Sequence, residues 1–142
     1  MAIAVPETAA CSFCGTLDGR FPYTILARDD EVAIMVTREQ RGLGHLLVIP
    51  VEHRPTVLDL DPREAAAVMT AVQRAARLVS AAYDPDGICV WQNNGVPANQ
   101  TVPHVHFHVA GTFPGRGTDW GEVPRLSVAE TDAIAATFRP YL

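Results

Sequence analysis

The sequence lacks the features of a membrane or secreted protein. Its longest apolar stretch, residues 65–82, contains Gln73, Arg74 and Arg77, whereas a helix that spans a bilayer needs about 20 consecutive apolar residues. The first ten residues carry no positive charge and include Glu7, which is not typical of a secretory signal. We therefore expect a cytoplasmic protein with no membrane partner.

Positive charge and cysteine are also scarce. The chain has 11 Lys and Arg against 16 Asp and Glu, giving a net charge of −5, so nucleic acid is not an expected partner. A small anionic ligand remains compatible, because a pocket can differ in sign from the whole surface. An odd number of cysteines, three, indicates free thiols, and the close pair Cys11 and Cys14 could serve a metal or redox function.

Hydrophobic residues are abundant at 48% and predict one globular domain over residues 1–142. Asp61 with Pro62 predicts a helix start, with an apolar face continuing to about residue 83, and a second capping box begins at Ser127. The pattern indicates an α+β fold: an antiparallel sheet of about five strands with two helices. The predicted strands are 23–28, 31–37, 45–50, 88–92 and 104–110.

The strongest chemical signal is a row of three histidines in five residues, His104, His106 and His108. Side chains of a strand alternate between its faces, so these three imidazoles share one face. His104 and His108 would lie roughly 13 Å apart, too far to bind one zinc ion together. Two of the histidines with a third ligand from elsewhere could still form a catalytic zinc site.

The row resembles the signature of the histidine-triad (HIT) nucleotide hydrolases and transferases, in particular the zinc-bearing bacterial branch. Residues 104–110, HVHFHVA, match its pattern of three histidines separated and followed by apolar residues. The resemblance covers residues 11–111 and leaves a C-terminal tail, 112–142, with a short helix. It also includes the loop 93–101, the strand 44–50 and the pair Cys11 and Cys14.

The resemblance implies roles for individual residues. His106 is implied as the nucleophile that attacks the α-phosphorus and forms a nucleotidyl-histidine intermediate. His108 and Thr101 are implied as catalytic residues that also bind phosphate, and Asn93 and Gln100 as further phosphate or nucleotide contacts. The sequence departs from the family at Thr37, where a carboxylate that holds the ribose is expected.

The resemblance to zinc-bearing members also implies a structural zinc site. Its ligands would be Cys11, Cys14, His53 and His104, which leaves His106 and His108 for phosphate. No redox cofactor is expected.

The resemblance thus predicts a hydrolase or transferase that cleaves a purine nucleotide derivative at its α-phosphate. The substrate would be a nucleoside phosphoramidate, an acyl nucleotide or a dinucleoside polyphosphate, and the protein would form a homodimer. Two alternatives remain open from the residues: a nucleotide-binding regulatory module with incidental hydrolysis, and a metallohydrolase with catalytic zinc.

Overall fold

The computed structural model describes residues 2–142, and its centre is a five-stranded antiparallel sheet in the order β1-β2-β3-β5-β4. This confirms the predicted α+β class. The strands are β1 (Ile25–Arg28), β2 (Val32–Val36), β3 (Leu43–Pro50), β4 (Ile88–Gln92) and β5 (Phe107–Gly111).

Three α-helices accompany the sheet: α1 (Ser12–Leu17), α2 (Pro62–Tyr83) and α3 (Val128–Phe138). The capping boxes at Asp61 and Ser127 are both formed, as predicted. The sequence analysis missed α1, since six residues are too few for an apolar period to be read. Among residues 2–142, no helix is long and apolar enough to cross a membrane. Short 3-10 helices occupy Val57–Asp59, Val96–Ala98 and Arg139–Tyr141.

The two faces of the sheet are covered differently. On one face α2 and α3 pack against strand residues that include Ile34, Leu46 and Val109, which form the larger hydrophobic core. On the other face a smaller cluster forms around Phe13 of α1 and Leu47 of β3. Because the side chains of a strand alternate between its two faces, α2 and α3 shield one face of the sheet from water and the histidines lie on the other face, next to α1.

Strand β5 begins at Phe107, three residues later than the sequence pattern predicts. His104 lies in a bend before the strand, and the next residue, Val105, donates a backbone hydrogen bond to the Arg54 carbonyl at 2.7 Å instead of entering the ladder. The strand prediction was therefore wrong at its start. Only His108 of the triad lies in the paired strand, so the row of histidines extends beyond the edge of the ladder.

A bulge in β3 brings another histidine to the same face. The register between β3 and β5 shifts between Leu43 and Leu46. Gly44 in this bulge has φ +58, and a Cβ there would lie 2.4 Å from the Tyr83 ring. A side chain at position 44 would therefore clash in a backbone conformation that already favours glycine. His45 follows directly and is 1% exposed.

Candidate active site and metal cluster

His106 faces a cavity of about 350 Å³ beside α1. Its Nδ1 lies 2.7 Å from the His104 carbonyl oxygen, which can only accept, so Nδ1 carries the proton. The other nitrogen, Nε2, is left with its lone pair. Burial lowers the pKa of His106, which keeps the ring neutral near pH 7. A neutral imidazole with a free lone pair is a competent nucleophile.

The cavity combines aromatic walls with cationic groups. Its apolar lining includes Phe13 and Phe21, and Thr101 and His108 line it together with His106. Two arginines, two polar residues and a carboxylate also line it: Arg38, Arg125, Tyr23, Thr37 and Glu39. The arrangement can hold a flat ring and an anion in one space.

His108 is enclosed by other rings. Its Nδ1 lies 3.0 Å from Nε2 of His45, and Trp91 stacks on it with ring centroids 4.6 Å apart and planes within 1°. Trp120 meets Trp91 edge-on at 4.9 Å. Desolvation lowers the pKa of His108, so this ring is also neutral. The ring centroid of His106 lies 5.1 Å from that of His108, close enough for both to contact one phosphate.

The polar loop before the triad is mainly occupied with its own structure. Gln100 is 3% exposed, and its amide bonds to Gly95, Pro55 and Val102. Asn93 donates from Nδ2 to the Ala98 carbonyl at 2.8 Å. The phosphate contacts predicted for Asn93 and Gln100 therefore stay predictions, and Gln100 would have to give up an internal bond to make one.

Four potential metal ligands meet on the other side of His104. The thiols of Cys11 and Cys14 and the ring nitrogens of His53 and His104 all lie within 4.8 Å of one another. The separations include 3.3 Å from Cys14 Sγ to His53 Nδ1, 3.4 Å from Cys11 Sγ to His104 Nδ1, and 3.3 Å between the two Nδ1 atoms. A tetrahedral zinc ion with its usual bond lengths would separate sulfur from nitrogen by roughly 3.6 Å and two nitrogens by roughly 3.3 Å.

The chemistry of these donors also fits zinc. The Nε2 atom of His104 lies 2.8 Å from the Pro50 carbonyl and therefore carries the proton, which leaves Nδ1 with a lone pair directed at the thiols. Burial lowers the pKa of His104 to about 4 and raises the pKa of Cys14 to about 11. Binding of zinc would therefore displace a thiol proton but no proton from His104 Nδ1.

Comparison with known proteins agrees with this geometry. The model of the HIT domain matches residues 19–115 of the chain. The chain belongs to the HIT family. An adenosine 5′-monophosphoramidase of Schizosaccharomyces pombe is 32% identical over 128 residues, covering 88% of this chain and 92% of that protein.

Solved structures of HIT proteins share the fold over nearly the whole chain. A HIT-like protein of Bartonella henselae superposes with a TM-score of 0.86 at 28% identity, over 96% of this chain and 98% of the other. A zinc-bound HIT protein of Mycobacterium smegmatis gives a TM-score of 0.78 at 27% identity, over 93% and 95%. The HIT fold predicted from the histidine pattern is thereby confirmed.

Two further residues lie at the centre of this HIT site, His45 and Trp91. The sequence places His45 at the start of a predicted strand, where it could be a partner of the histidine face, but it was not among the predicted catalytic residues. His45 shares the strand face of Leu47, which packs beside α1, so the alternation of β3 was a usable signal. For Trp91 the sequence offers no signal, because its contact with His108 depends on the pairing of β4 with β5.

Proposed function

We propose that the protein hydrolyses nucleotide derivatives at the α-phosphate through a nucleotidyl-His106 intermediate. The observation that carries this proposal is the His106 side chain: Nδ1–H is held by the His104 carbonyl, and a bare Nε2 faces the cavity. The name of the S. pombe relative, an adenosine 5′-monophosphoramidase, supports a nucleoside phosphoramidate as substrate. Acyl nucleotides and dinucleoside polyphosphates would be attacked at the same α-phosphorus, but the bond that breaks there is P–O rather than P–N.

The reaction divides into two displacements at phosphorus. Nε2 of His106 attacks, a P–N bond to the ring forms, and the bond to the leaving amine breaks as that amine takes a proton from solvent. The ring now carries a positive charge, and its Nδ1–H remains bonded to the His104 carbonyl. Water then displaces the imidazole and loses a proton to solvent, which releases the nucleoside monophosphate and regenerates the neutral ring.

The nucleoside would occupy the aromatic part of the cavity. Phe21 is 46% exposed and can cover a purine, while Thr37 is 7% exposed and accepts a hydrogen bond from the backbone of Glu39 at 3.3 Å. A hydroxyl binds a ribose diol less strongly than a carboxylate does. Arg38 and Arg125 supply positive charge for the phosphate end or for an acidic leaving group.

We further propose that Cys11, Cys14, His53 and His104 hold a structural zinc ion. When bound, the zinc would cross-link the N-terminal segment to the triad and would leave no ligand position for water. Four protein ligands form a closed site, which disfavours the alternative of a catalytic zinc. Elemental analysis of untagged protein should give one zinc per chain, and protein without metal would contradict the assignment.

A second copy of the chain is the expected partner. The edge strand β4 exposes Ile88 and Val90, and the neighbouring helix α2 exposes Met69, so apolar surface remains uncovered at this edge. A homodimer that covers it would explain the pattern. Light scattering should report twice the mass of one chain, and Val90→Glu should give monomers.

Covalent catalysis is tested by intact mass spectrometry. After brief mixing with adenosine phosphoramidate and acid quenching, the native protein should carry a labile nucleotidyl mass, and His106→Ala should carry none. Arg77→Ala, a change on the exposed side of α2, serves as the control and should keep the adduct. An adduct on His106→Ala would refute the assigned nucleophile.

One departure favours a second candidate function. The absence of a carboxylate at Thr37 would suit a module that binds nucleotides weakly and hydrolyses them only incidentally. Micromolar nucleotide binding without turnover on phosphoramidates, acyl nucleotides and dinucleoside polyphosphates would move this function ahead of the hydrolase.

A further inference from the structure

A chain of hydrogen bonds runs from the backbone of Arg41 through His45 to His108. The amide nitrogen of Arg41 lies 3.1 Å from Nδ1 of His45, and Nε2 of His45 lies 3.0 Å from Nδ1 of His108. His45 is 1% exposed, so no water competes for its ring. The first link has a fixed direction, because a backbone N–H can only donate.

That fixed direction determines the proton positions along the chain. Since Nδ1 of His45 accepts from Arg41, the proton of the neutral His45 ring lies on Nε2, which donates to His108. Nδ1 of His108 is then the acceptor, and the proton of this neutral ring lies on Nε2. His108 consequently offers a donor to the cavity, whereas His106, held through Nδ1–H, offers a lone pair.

We propose that His45 is a positioning residue that fixes the tautomer of His108, so that Nε2–H of His108 donates to the bound α-phosphate. The inference rests on the proposed function for the identity of the ligand. With the opposite tautomer, a bare Nε2 of His108 would face the phosphate oxygens and repel them, as lone pairs on both sides cannot form a hydrogen bond.

The backbone around His45 is built to hold this geometry. The amide group of Gln40 clamps His45 on both sides: Oε1 accepts from the His45 N–H at 2.9 Å, and Nε2 donates to the His45 carbonyl at 2.9 Å. Gly44 provides the bulge that aims the ring at His108. Trp91 stacks on His108 and also contacts His45, with 5.0 Å between the Trp91 and His45 ring centroids. Neither imidazole can therefore rotate freely.

The charges around His45 favour a neutral ring. Arg41 and the rings of His106 and His108 face it and disfavour a second proton, in addition to the effect of burial. The carbonyl of Glu39 is the opposing group, since it favours protonation of His45. Only the Arg41 N–H meets hydrogen-bond geometry at Nδ1, so we assign Nδ1 as the acceptor.

Nitrogen NMR of the native protein tests the assignment directly. In ¹⁵N-labelled protein at pH 7.5, long-range ¹H–¹⁵N correlation spectra detect two-bond couplings between the ring protons and the ring nitrogens. These spectra distinguish the protonated nitrogen of each imidazole from the unprotonated one. We expect both His45 and His108 to carry the proton on Nε2 and His106 to carry it on Nδ1. A His108 ring protonated on Nδ1 would overturn the proposal without any variant having to fold.

Two variants separate tautomer control from packing. The side-chain amide introduced by His45→Gln could accept from Arg41 through its oxygen and donate to His108 through its nitrogen, whereas His45→Leu fills the space without a donor. We expect His45→Leu to lose about 10- to 100-fold in kcat with mixed His108 tautomers, and His45→Gln to stay within a few-fold of native. Equal losses in both variants, with His108 unchanged in NMR, would show a merely structural role.

The adduct experiment distinguishes failure of this inference from failure of the proposed function. If His106 acts as nucleophile, His45→Leu should still accumulate the nucleotidyl adduct, only more slowly. No adduct in the native protein would refute the proposed function and leave the NMR assignment standing. A normal rate of adduct formation in His45→Leu would refute the role of His45 alone.

Discussion

His104 and His108 stand at the two ends of one short segment and differ in what surrounds them. His104 directs Nδ1 toward two thiols and the exposed ring of His53, with its Nε2–H bonded to the Pro50 carbonyl. His108 has its Nδ1 occupied by His45 and is covered by Trp91. One end of the segment therefore presents a ring nitrogen to a cluster of potential metal ligands, and the other end holds its ring between His45 and Trp91.

His106 lies between them, and its hydrogen bonding differs from that of both. In each ring one nitrogen is held by the protein, and the nature of that partner determines what the other nitrogen can do. A carbonyl at Nε2 leaves His104 with a lone pair on Nδ1, and a carbonyl at Nδ1 leaves His106 with a lone pair on Nε2. In our proposal, the N–H of His45 at Nδ1 leaves His108 with a donor on Nε2. Identical side chains thus present different nitrogen groups because their hydrogen-bond partners differ.

The largest expected effect comes from removing the middle histidine. In His106→Ala we expect kcat with adenosine phosphoramidate to fall by about 10⁴-fold, because the covalent route is lost. The zinc content and the thermal unfolding temperature should stay close to native. Steady-state kinetics measure the loss of activity, and elemental analysis measures the zinc content. A loss of zinc in this variant would contradict the separation of the metal cluster from the nucleophile.

Disrupting the His104 end should affect stability before chemistry. In Cys14→Ser, or in native protein with a strong chelator, we expect a loss of about 4 kcal/mol if zinc had been present at roughly 1,000 times its Kd. That corresponds to a fall of roughly 12 °C in the thermal midpoint. Calorimetry with and without chelator measures it. A chelator that abolishes turnover while leaving the midpoint unchanged would instead favour a catalytic metal.

Acid should lower the stability of the folded protein, because His45, the buried partner of His108, resists protonation in the fold. Burial lowers the pKa of His45 to about 3, against an unfolded value of about 6.5. Between these values the unfolded chain binds a proton that the folded chain does not, so the stability contribution is full above about pH 6.5 and falls as the pH drops. The expected slope from His45 is up to about 1.4 kcal/mol per pH unit.

Denaturant unfolding at pH 5.5 and pH 4.5 measures this slope in native protein and in His45→Gln. The variant should lose the contribution of one histidine, while any effect from the metal ligands cancels in the comparison. Equal slopes would show that His45 titrates normally in the folded protein.

The smallest expected effect concerns the nucleoside. Thr37→Asp places a carboxylate in the cavity wall, and we expect it to improve selection of ribonucleotide over 2′-deoxyribonucleotide substrates by roughly tenfold, about 1.4 kcal/mol. The ratio of kcat/KM for the two substrates measures the effect, with Thr37→Ser as the control. An unchanged ratio would indicate that Thr37 does not face the ribose.

Much of the fold could be predicted because its signals are local. The capping box at Asp61 and the apolar period after it predicted α2 close to its observed bounds, and β1 and β2 lie within the predicted strands 23–28 and 31–37. The start of β5 and the helix α1 could not be predicted in the same way. His104 leaves the ladder because the segment bonds elsewhere, to the Arg54 carbonyl at Val105, and that contact is distant in sequence.

The candidate site shows the same division. Three histidines at alternating positions indicate chemistry by themselves, and the resemblance to HIT proteins supplies the expected nucleophile and metal ligands. His45 and Trp91 contact His108 from two other strands, 63 and 17 residues away along the chain, so these contacts depend on how the strands pair. Gln100 matches a phosphate contact in sequence, which stays a prediction, whereas the bonds of its amide to Gly95 and Pro55 could not be predicted from the pattern.

By itself the sequence determined the α+β class and indicated a candidate site at the histidine row, since alternation and capping depend only on neighbouring residues. Only the tertiary structure decided which ring nitrogen of each histidine is free. That choice depends on a carbonyl or N–H brought from another strand or turn, and a proton on imidazole follows its hydrogen-bond partner rather than its position in the chain.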